Sequence, residues 1–108
     1  MEFDGKLLSE LSEQFGDSFY ILDIGKFIYN YKRLKSAFSS FYGNSYIAYS
    51  YKTNYIPILC RKAAELGAYA EVVSEMEYEL AKRVGTEAKK IILNGPVKSR
   101  RAVEELLI

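Results

Sequence analysis

Apolar residues follow two patterns along this chain, and the two patterns alternate. In several segments they recur three or four positions apart, which is typical of amphipathic helices. Between these segments lie short aliphatic and aromatic runs without helical spacing, which favour strands. Helices are predicted between residues 4 and 16, around 27–38, and over 57–67, 75–84 and 99–107; strands are predicted over 18–22, 46–51, 69–73 and 90–93.

Residues with strong end preferences mark where the helices begin and end. Asp4 is placed as the N-cap of the first helix, and Gly16 follows its last apolar residue. Pro57 stands at the first position of a later helix that Gly67 closes, which matches the backbone preferences of the two residues. These signals act locally, so they predict helix boundaries before any tertiary contact is known.

The order of the elements predicts the topology. Strands that alternate with helices of this length form right-handed βαβ units and a parallel sheet. Residues 72–73 and 91–93 are nearly continuous apolar runs, as expected of strands covered on both faces. A repeat of roughly 20 to 25 residues fits the βα unit of a barrel. The chain is therefore predicted to be α/β, the N-terminal portion of a (β/α)8 TIM barrel with about three βα units preceded by a helix and a strand.

Composition narrows the classes of protein that the chain can belong to. Of its 108 residues, 49% are hydrophobic and 15% aromatic, as in a globular domain or part of one. The 15 Lys and Arg residues nearly balance 14 Asp and Glu residues, so no net charge favours nucleic acid. No apolar run approaches the roughly 20 residues that span a bilayer, and the N-terminus lacks a signal-peptide pattern. We expect a cytoplasmic protein that binds neither nucleic acid nor membrane.

Few residue types are available for chemistry. The chain contains no histidine, which excludes Ser-His-Asp and Cys-His sites within it and most zinc catalysis. The single cysteine, Cys60, lies on an apolar helix face and is predicted to be a small buried hydrophobe. No Gly-x-Gly-x-x-Gly or Walker pattern supports nucleotide binding. Any chemistry must use Lys, Glu, Tyr or backbone groups, and no metal site is predicted.

Lys52 is the candidate catalytic residue. It ends a predicted strand and precedes a helix, which is where α/β barrels present catalytic side chains. A lysine amine is nucleophilic once deprotonated and forms Schiff bases with pyridoxal phosphate. Ser74 and Asn94 also follow predicted strands, so the barrel topology would bring all three residues to one mouth. The alternative is a solvated lysine at a strand end.

Two glutamates admit more than one interpretation. Glu71 interrupts an apolar strand, where it either points into the barrel with Lys52 as its partner or faces water. Ser74 and Glu77 fit a capping box, in which the serine caps the helix and the glutamate reaches back to the serine backbone. That capping role accounts for Glu77 without catalysis.

Four segments together suggest a family. They are Phe19-Tyr20-Ile21-Leu22-Asp23, Tyr49-Ser50-Tyr51-Lys52-Thr53-Asn54, Glu71-Val72-Val73-Ser74-Glu75-Met76-Glu77 after Gly67, and Ile91-Ile92-Leu93-Asn94-Gly95-Pro96-Val97-Lys98. In this order, and over nearly the whole chain, they resemble the start of the fold-type III pyridoxal-phosphate-dependent decarboxylases, which include diaminopimelate, ornithine and arginine decarboxylases. The Asn-Gly-Pro-x-Lys element is most similar to the diaminopimelate branch.

The resemblance implies a cofactor, a substrate class and site residues. Pyridoxal 5'-phosphate would be the cofactor, with Lys52 forming its internal aldimine. Glu71 would occupy the position of a family acidic residue near the cofactor ring, and Glu77 matches a family glutamate too. The substrate would be a small molecule, a diaminopimelate-like or basic amino acid, and the family forms dimers. A racemase, another pyridoxal-phosphate-binding barrel protein and a non-catalytic α/β interaction module remain alternatives, although the Asn-Gly-Pro-x-Lys element argues against the racemase and the other barrel protein.

The chain also departs from the family pattern. The usual Tyr-Ala-Val-Lys-Ala-Asn string has Ser50, Tyr51 and Thr53 at its variable positions, and the family's Ser-Gly-Gly-Glu is here Ser74-Glu75-Met76-Glu77. A complete barrel needs about 250 residues, so residues 1–108 are expected to form a partial TIM-barrel domain, with the remaining barrel and a C-terminal β domain absent. Such a fragment is expected to be inactive alone, and its open sheet edge favours a homodimer or other self-association.

Overall fold

The computed structural model describes residues 3–96 and 98–107 and contains a three-stranded parallel sheet with helices. The elements are α1 (Gly5–Phe15), α2 (Ile24–Phe41), β1 (Ala48–Ser50), α3 (Pro57–Glu65), β2 (Tyr69–Val72), α4 (Glu75–Arg83), β3 (Ile91–Leu93) and α5 (Arg100–Leu107). The strands lie side by side in chain order, with a helix between each pair. This arrangement confirms the predicted parallel βαβ succession.

The helix ends follow the predicted signals. The Asp4 side chain accepts a hydrogen bond from the Leu7 backbone N–H at 2.8 Å, which satisfies one of the free donors of the first turn of α1. Gly16 ends this helix with a φ of 88°, a conformation that favours glycine. Pro57 is the first residue of α3, and Gly67 follows the helix with a φ of 93°. The local signals are confirmed at each of these positions.

The segment 18–22, predicted to be a strand, is not one. Its backbone forms no strand ladder with the described residues, and the Tyr20 side chain is fully exposed. Aromatic and β-branched composition favours extended backbone, but a strand also needs a neighbouring strand to receive its hydrogen bonds. The segment connects α1 to α2 and has no strand beside it in the described part of the chain.

The core lies between one face of the sheet and the following helices. Tyr51, Cys60, Val72 and Ala81 are almost completely buried there. The sheet contributes every second residue to this layer, as the two-residue period of a strand requires. Burial of a side chain such as Val72 stabilises the fold by about 1.5–3 kcal/mol. The cluster consists of Tyr51, Cys60, Ala70, Val72, Tyr78, Ala81 and Ile91, with Tyr49, Leu80, Val84, Leu93 and Leu106 against it.

The N-terminal helices are much less buried than this core. Neither α1 nor α2 contains a buried residue. Phe27, Tyr31, Leu34 and Phe38 form an apolar stripe at helical spacing on α2. The stripe touches the sheet through Phe27, whose ring packs edge to face on Tyr49 with 5.7 Å between centroids. Farther along the stripe, Leu34 and Phe38 are 49% and 60% exposed. The helix was predicted correctly, but the C-terminal half of the stripe has no covering element among the described residues.

Candidate functional site

The two faces of the sheet have different roles. Tyr49, Ala70 and Ile91 align across the three strands and face the helices. The next row, one residue further along, consists of Ser50, Glu71 and Ile92. Because neighbouring residues of a strand point to opposite faces, this row lies on the face away from the helices. That face holds the candidate functional residues, and Ile92 is 43% exposed there.

Lys52 lies on a turn that directly follows β1. The Tyr51 N–H donates to the Glu71 carbonyl at 3.0 Å, and the Thr53 hydroxyl donates to the Ser50 carbonyl at 2.8 Å. These bonds hold the backbone on either side of Lys52, and the buried Tyr51 ring anchors the turn in the core. The Lys52 side chain is exposed and makes no hydrogen bond or ion pair with any residue that the structure describes. Its amine is therefore open to a ligand.

Glu71 is partly buried on the same face, and its hydrogen-bond partner is Asn94. The Asn94 side-chain N–H donates to Glu71 Oε1 at 3.0 Å. The pKa of Glu71 lies below its usual value, chiefly because of the Ser50 hydroxyl; burial opposes this effect, while the Asn94 amide and the Lys52 charge add to it. The expectation that Lys52 would be the direct partner of an inward Glu71 is thus corrected. Asn94 is the donor, since β3 lies beside β2 and places its end next to Glu71.

The turn after β3 depends on close backbone contact. The Asn94 N–H donates to the Val72 carbonyl at 2.8 Å, which continues the ladder beyond the strand. At Gly95 a Cβ atom would lie 2.2 Å from the Val73 carbonyl oxygen, so glycine is required there. The Lys98 amine donates to the Gly95 carbonyl at 2.9 Å. Val97, within the Asn-Gly-Pro-x-Lys element, lies outside the described residues.

Ser74 and Glu77 cap α4, with one change from the predicted capping box. The Ser74 hydroxyl accepts from the Glu77 N–H at 3.2 Å, as predicted. The Glu77 carboxylate accepts from the N–H of Val73, at 2.7 Å, rather than from that of Ser74. Ser74 has an extended backbone, and the glutamate reaches one residue further back. The Val73 N–H thus gives the Glu77 carboxylate, whose residue is only 4% exposed, a hydrogen-bond partner. The Ser74 hydroxyl still caps α4.

The sequence did not predict a buried group of polar atoms from Tyr51, Cys60 and Thr86, next to the Lys52 turn. The Tyr51 hydroxyl is enclosed near Thr86 and Cys60, and burial raises the pKa of Tyr51 to about 12, with Thr86 lowering it and Cys60 raising it. Burial also raises the pKa of the Cys60 thiol. Cys60 is therefore a protonated core residue, and the prediction of a buried hydrophobe is confirmed. Tyr51, Cys60 and Thr86 lie on separate segments of the chain, so no local signal indicated this cluster.

Ser50 is the functional candidate that sequence reasoning missed. In the sequence Ser50 is only a departure from the family's alanine, because its neighbour across the sheet depends on strand register.

Among the helices that the structure describes, none has the length and apolar character needed to cross a membrane. The described residues also contain no cluster of three or more side chains suited to a metal ion.

Comparison with known proteins agrees with the proposed resemblance. Residues 24–108 match the model of the family described as pyridoxal-dependent decarboxylase, pyridoxal binding domain. The diaminopimelate decarboxylase of Methanocaldococcus jannaschii is 36% identical over 104 residues, which are 93% of this chain and 24% of that protein. The Aquifex aeolicus diaminopimelate decarboxylase is 31% identical over 102 residues, covering 94% of this chain and 23% of that protein.

Solved structures show the same relationship. The crystal structure of M. jannaschii diaminopimelate decarboxylase in complex with L-lysine has a TM-score of 0.80 and 32% identity, covering 91% of this chain and 24% of that one. Lysine decarboxylase from Selenomonas ruminantium with pyridoxal phosphate and cadaverine also has a TM-score of 0.80, at 22% identity, covering 95% and 26%. These matches confirm the fold as the N-terminal portion of the barrel. The chain spans about a quarter of the relatives that it matches.

Proposed function

Because this chain belongs to the pyridoxal-dependent decarboxylases and matches their pyridoxal binding domain, we propose that Lys52 is the residue to which the cofactor, pyridoxal 5'-phosphate, attaches. One observation carries this assignment. The Lys52 amine is exposed at the carboxyl end of β1, on the sheet face that also holds the ionised Glu71 carboxylate. An amine that reacts with an aldehyde must be reachable from solvent and firmly placed, and the Lys52 turn satisfies both requirements.

The residues on this face fit a cofactor of that chemistry. Glu71 offers a negative charge beside Lys52, which suits a group that carries a positively charged nitrogen. The exposed Ile92 side chain offers an apolar surface for an aromatic ring. We therefore propose that Lys52 and Glu71 are the cofactor-binding residues of this chain and that Lys52 is also catalytic.

The cofactor and the two residues would have different chemical roles. When bound, pyridoxal phosphate supplies a ring that takes up the electron pair left behind as a carboxylate departs as CO2. Lys52 would hold the cofactor, and its free Nζ would be placed to accept or donate a proton. Glu71 would orient the bound cofactor and stabilise the positive charge on its nitrogen.

The substrate class and the activity of the complete protein are further proposals. The relatives in the diaminopimelate branch favour a diaminopimelate-like or basic amino acid as the substrate, and hence a role in lysine biosynthesis. We propose that residues 1–108 form one partial TIM-barrel domain and that the remaining barrel and a β domain are needed for turnover. The chain alone would then be inactive, because the described part leaves the site open along the edge of β3.

Self-association is the partner interaction that we propose. The outer edges of β1 and β3 have no neighbouring strand among the described residues, and such edges pair readily with another chain. The exposed Leu34 and Phe38 on α2 add an apolar surface. A cytoplasmic location stays a prediction from the sequence.

Covalent trapping tests the Lys52 assignment. The chain is mixed with pyridoxal phosphate, reduced with borohydride and mapped by peptide mass spectrometry. We expect a stoichiometric adduct confined to Lys52, because its turn is held on both sides. Lys62→Ala, which removes a lysine paired with Glu65 on α3, is the matched control and should leave trapping unchanged. Labelling spread over the surface lysines, or unaltered labelling in Lys52→Ala, would contradict the assignment.

A further inference from the structure

The Glu71 carboxylate lies between two neutral polar side chains, that of Ser50 on β1 and that of Asn94 just after β3. The register places Ser50 of β1 directly beside Glu71, and Asn94 donates to Oε1 from the other side at 3.0 Å. No lysine or arginine among the described residues lies within ion-pair distance of this carboxylate. The charge of Lys52 acts on it only at longer range.

The Ser50 hydroxyl is unpaired in the described structure. Its oxygen is buried and does not reach hydrogen-bond geometry with any described residue, Glu71 included. A buried hydroxyl without a partner is destabilising, because it has lost its hydrogen bonds to water. The family that the chain resembles has alanine at this position, so packing does not require the hydroxyl. A small movement of the Glu71 side chain would supply the missing acceptor.

We propose that Ser50 and Asn94 are positioning residues that hold Glu71 as an oriented carboxylate, whose negative charge stays available to a positively charged nitrogen of the bound ligand. The inference rests on the cofactor site proposed above. Neutral donors stabilise an anion without cancelling its charge, whereas a lysine or arginine in contact would neutralise it. Ser50 and Asn94 come from the two neighbours of β2, so the strand order itself builds the arrangement.

The electrostatics of the face agree with this geometry. The pKa of Glu71 is lowered first by Ser50 and then, against the effect of burial, by Asn94 and Lys52. Lys52 is the only titratable group among these neighbours. Removal of either neutral donor should therefore raise the pKa of Glu71, so that the carboxylate protonates at a higher pH.

An NMR titration of Glu71 tests the proposal in the chain itself. With ¹³C-labelled glutamate, Ser50→Ala and Asn94→Ala should each shift the Glu71 titration midpoint upward, and Ser50→Thr should restore it by returning the hydroxyl. Ser9→Ala on the exposed side of α1 is the matched control and should leave the midpoint unchanged. Circular dichroism establishes that each variant is folded. Superimposable Glu71 titrations in the folded wild type and both alanine variants would overturn the inference.

Trapping of pyridoxal phosphate at Lys52 separates this inference from the proposed function. Ser50→Ala should slow borohydride trapping several-fold at a pH at which Glu71 is protonated in the variant but ionised in the wild type. If the wild type forms no adduct at Lys52 while the Glu71 midpoint still shifts in Ser50→Ala, the cofactor assignment is refuted. The proposed role of Ser50 in holding Glu71 would then stand. Intact trapping with an unresponsive Glu71 would refute only the roles of Ser50 and Asn94.

Discussion

At the scale of single residues, the site depends on contacts between positions that are distant in the sequence. Glu71 and Asn94 are 23 positions apart, yet they share a hydrogen bond because β2 and β3 are neighbours. The identity of Gly95 is set in the same way, by the carbonyl of Val73 on the preceding unit. Such residues define the end of the sheet where Lys52 is presented.

Gly95→Ala is predicted to destabilise the fold. The added Cβ would meet the Val73 carbonyl oxygen at 2.2 Å, so the turn after β3 would have to move, at a cost of about 1–3 kcal/mol. Gly43→Ala is the matched control, because nothing lies within 4 Å of a Cβ there and its φ is not positive. Urea unfolding of both variants measures the difference. Equal free energies of unfolding would show that the turn can adapt without cost.

At the scale of elements, the helices are specified largely by their own ends, whereas the strands need one another. The basic start of α5 illustrates the helical case. Arg100 and Arg101 are 91% and 74% exposed at their side chains and pair with Glu104 and Glu105 one turn later. The two arginines therefore form a solvated face of α5.

Ser74→Ala is predicted to weaken α4 by about 0.5–2 kcal/mol, since the Glu77 N–H would lose its acceptor. Ser74→Asp should retain most of the stability, because aspartate is also a good N-cap. Thermal unfolding followed by circular dichroism provides the measurement, with Ser9→Ala inside α1 as the control. A Ser74→Ala protein as stable as the wild type would mean that water replaces the cap.

At the scale of the whole molecule, the described chain has a well-packed part and an uncovered part. The sheet with α3 and α4 contains most of the buried residues, whereas α1 and α2 contain none. Leu34, Phe38 and the 95% exposed Phe41 lie on α2 or at its end. An apolar surface of this kind is usually covered by another part of the protein or by another chain.

Self-association through α2 is predicted to respond to charge on its stripe. Phe38→Lys should lower the apparent mass in sedimentation experiments at high protein concentration, without a loss of stability, because Phe38 is 60% exposed. Ser36→Lys, on an exposed position of the same helix, introduces the same charge elsewhere and is the control. Should Phe38→Lys sediment like the wild type, α2 would not be the contact, and the strand edges would become the next candidates.

The amino-acid sequence by itself determined the helices, their caps and the parallel βαβ order. Asp4, Pro57 and Gly67 act through their own backbone preferences, which need no distant partner. Lys52 could be placed at a strand end for the same reason, since the strand and the following helix start are both visible in the local pattern.

The tertiary structure alone decided which side chains meet. Segment 18–22 has strand composition but no strand beside it, and Glu77 bonds Val73 rather than Ser74 because of the backbone path before α4. The grouping of Ser50, Glu71 and Asn94 depends on strand register, and a slip of one residue would move each side chain to the other face. Hydrogen bonds between strands set that register, and these join residues that the sequence keeps far apart.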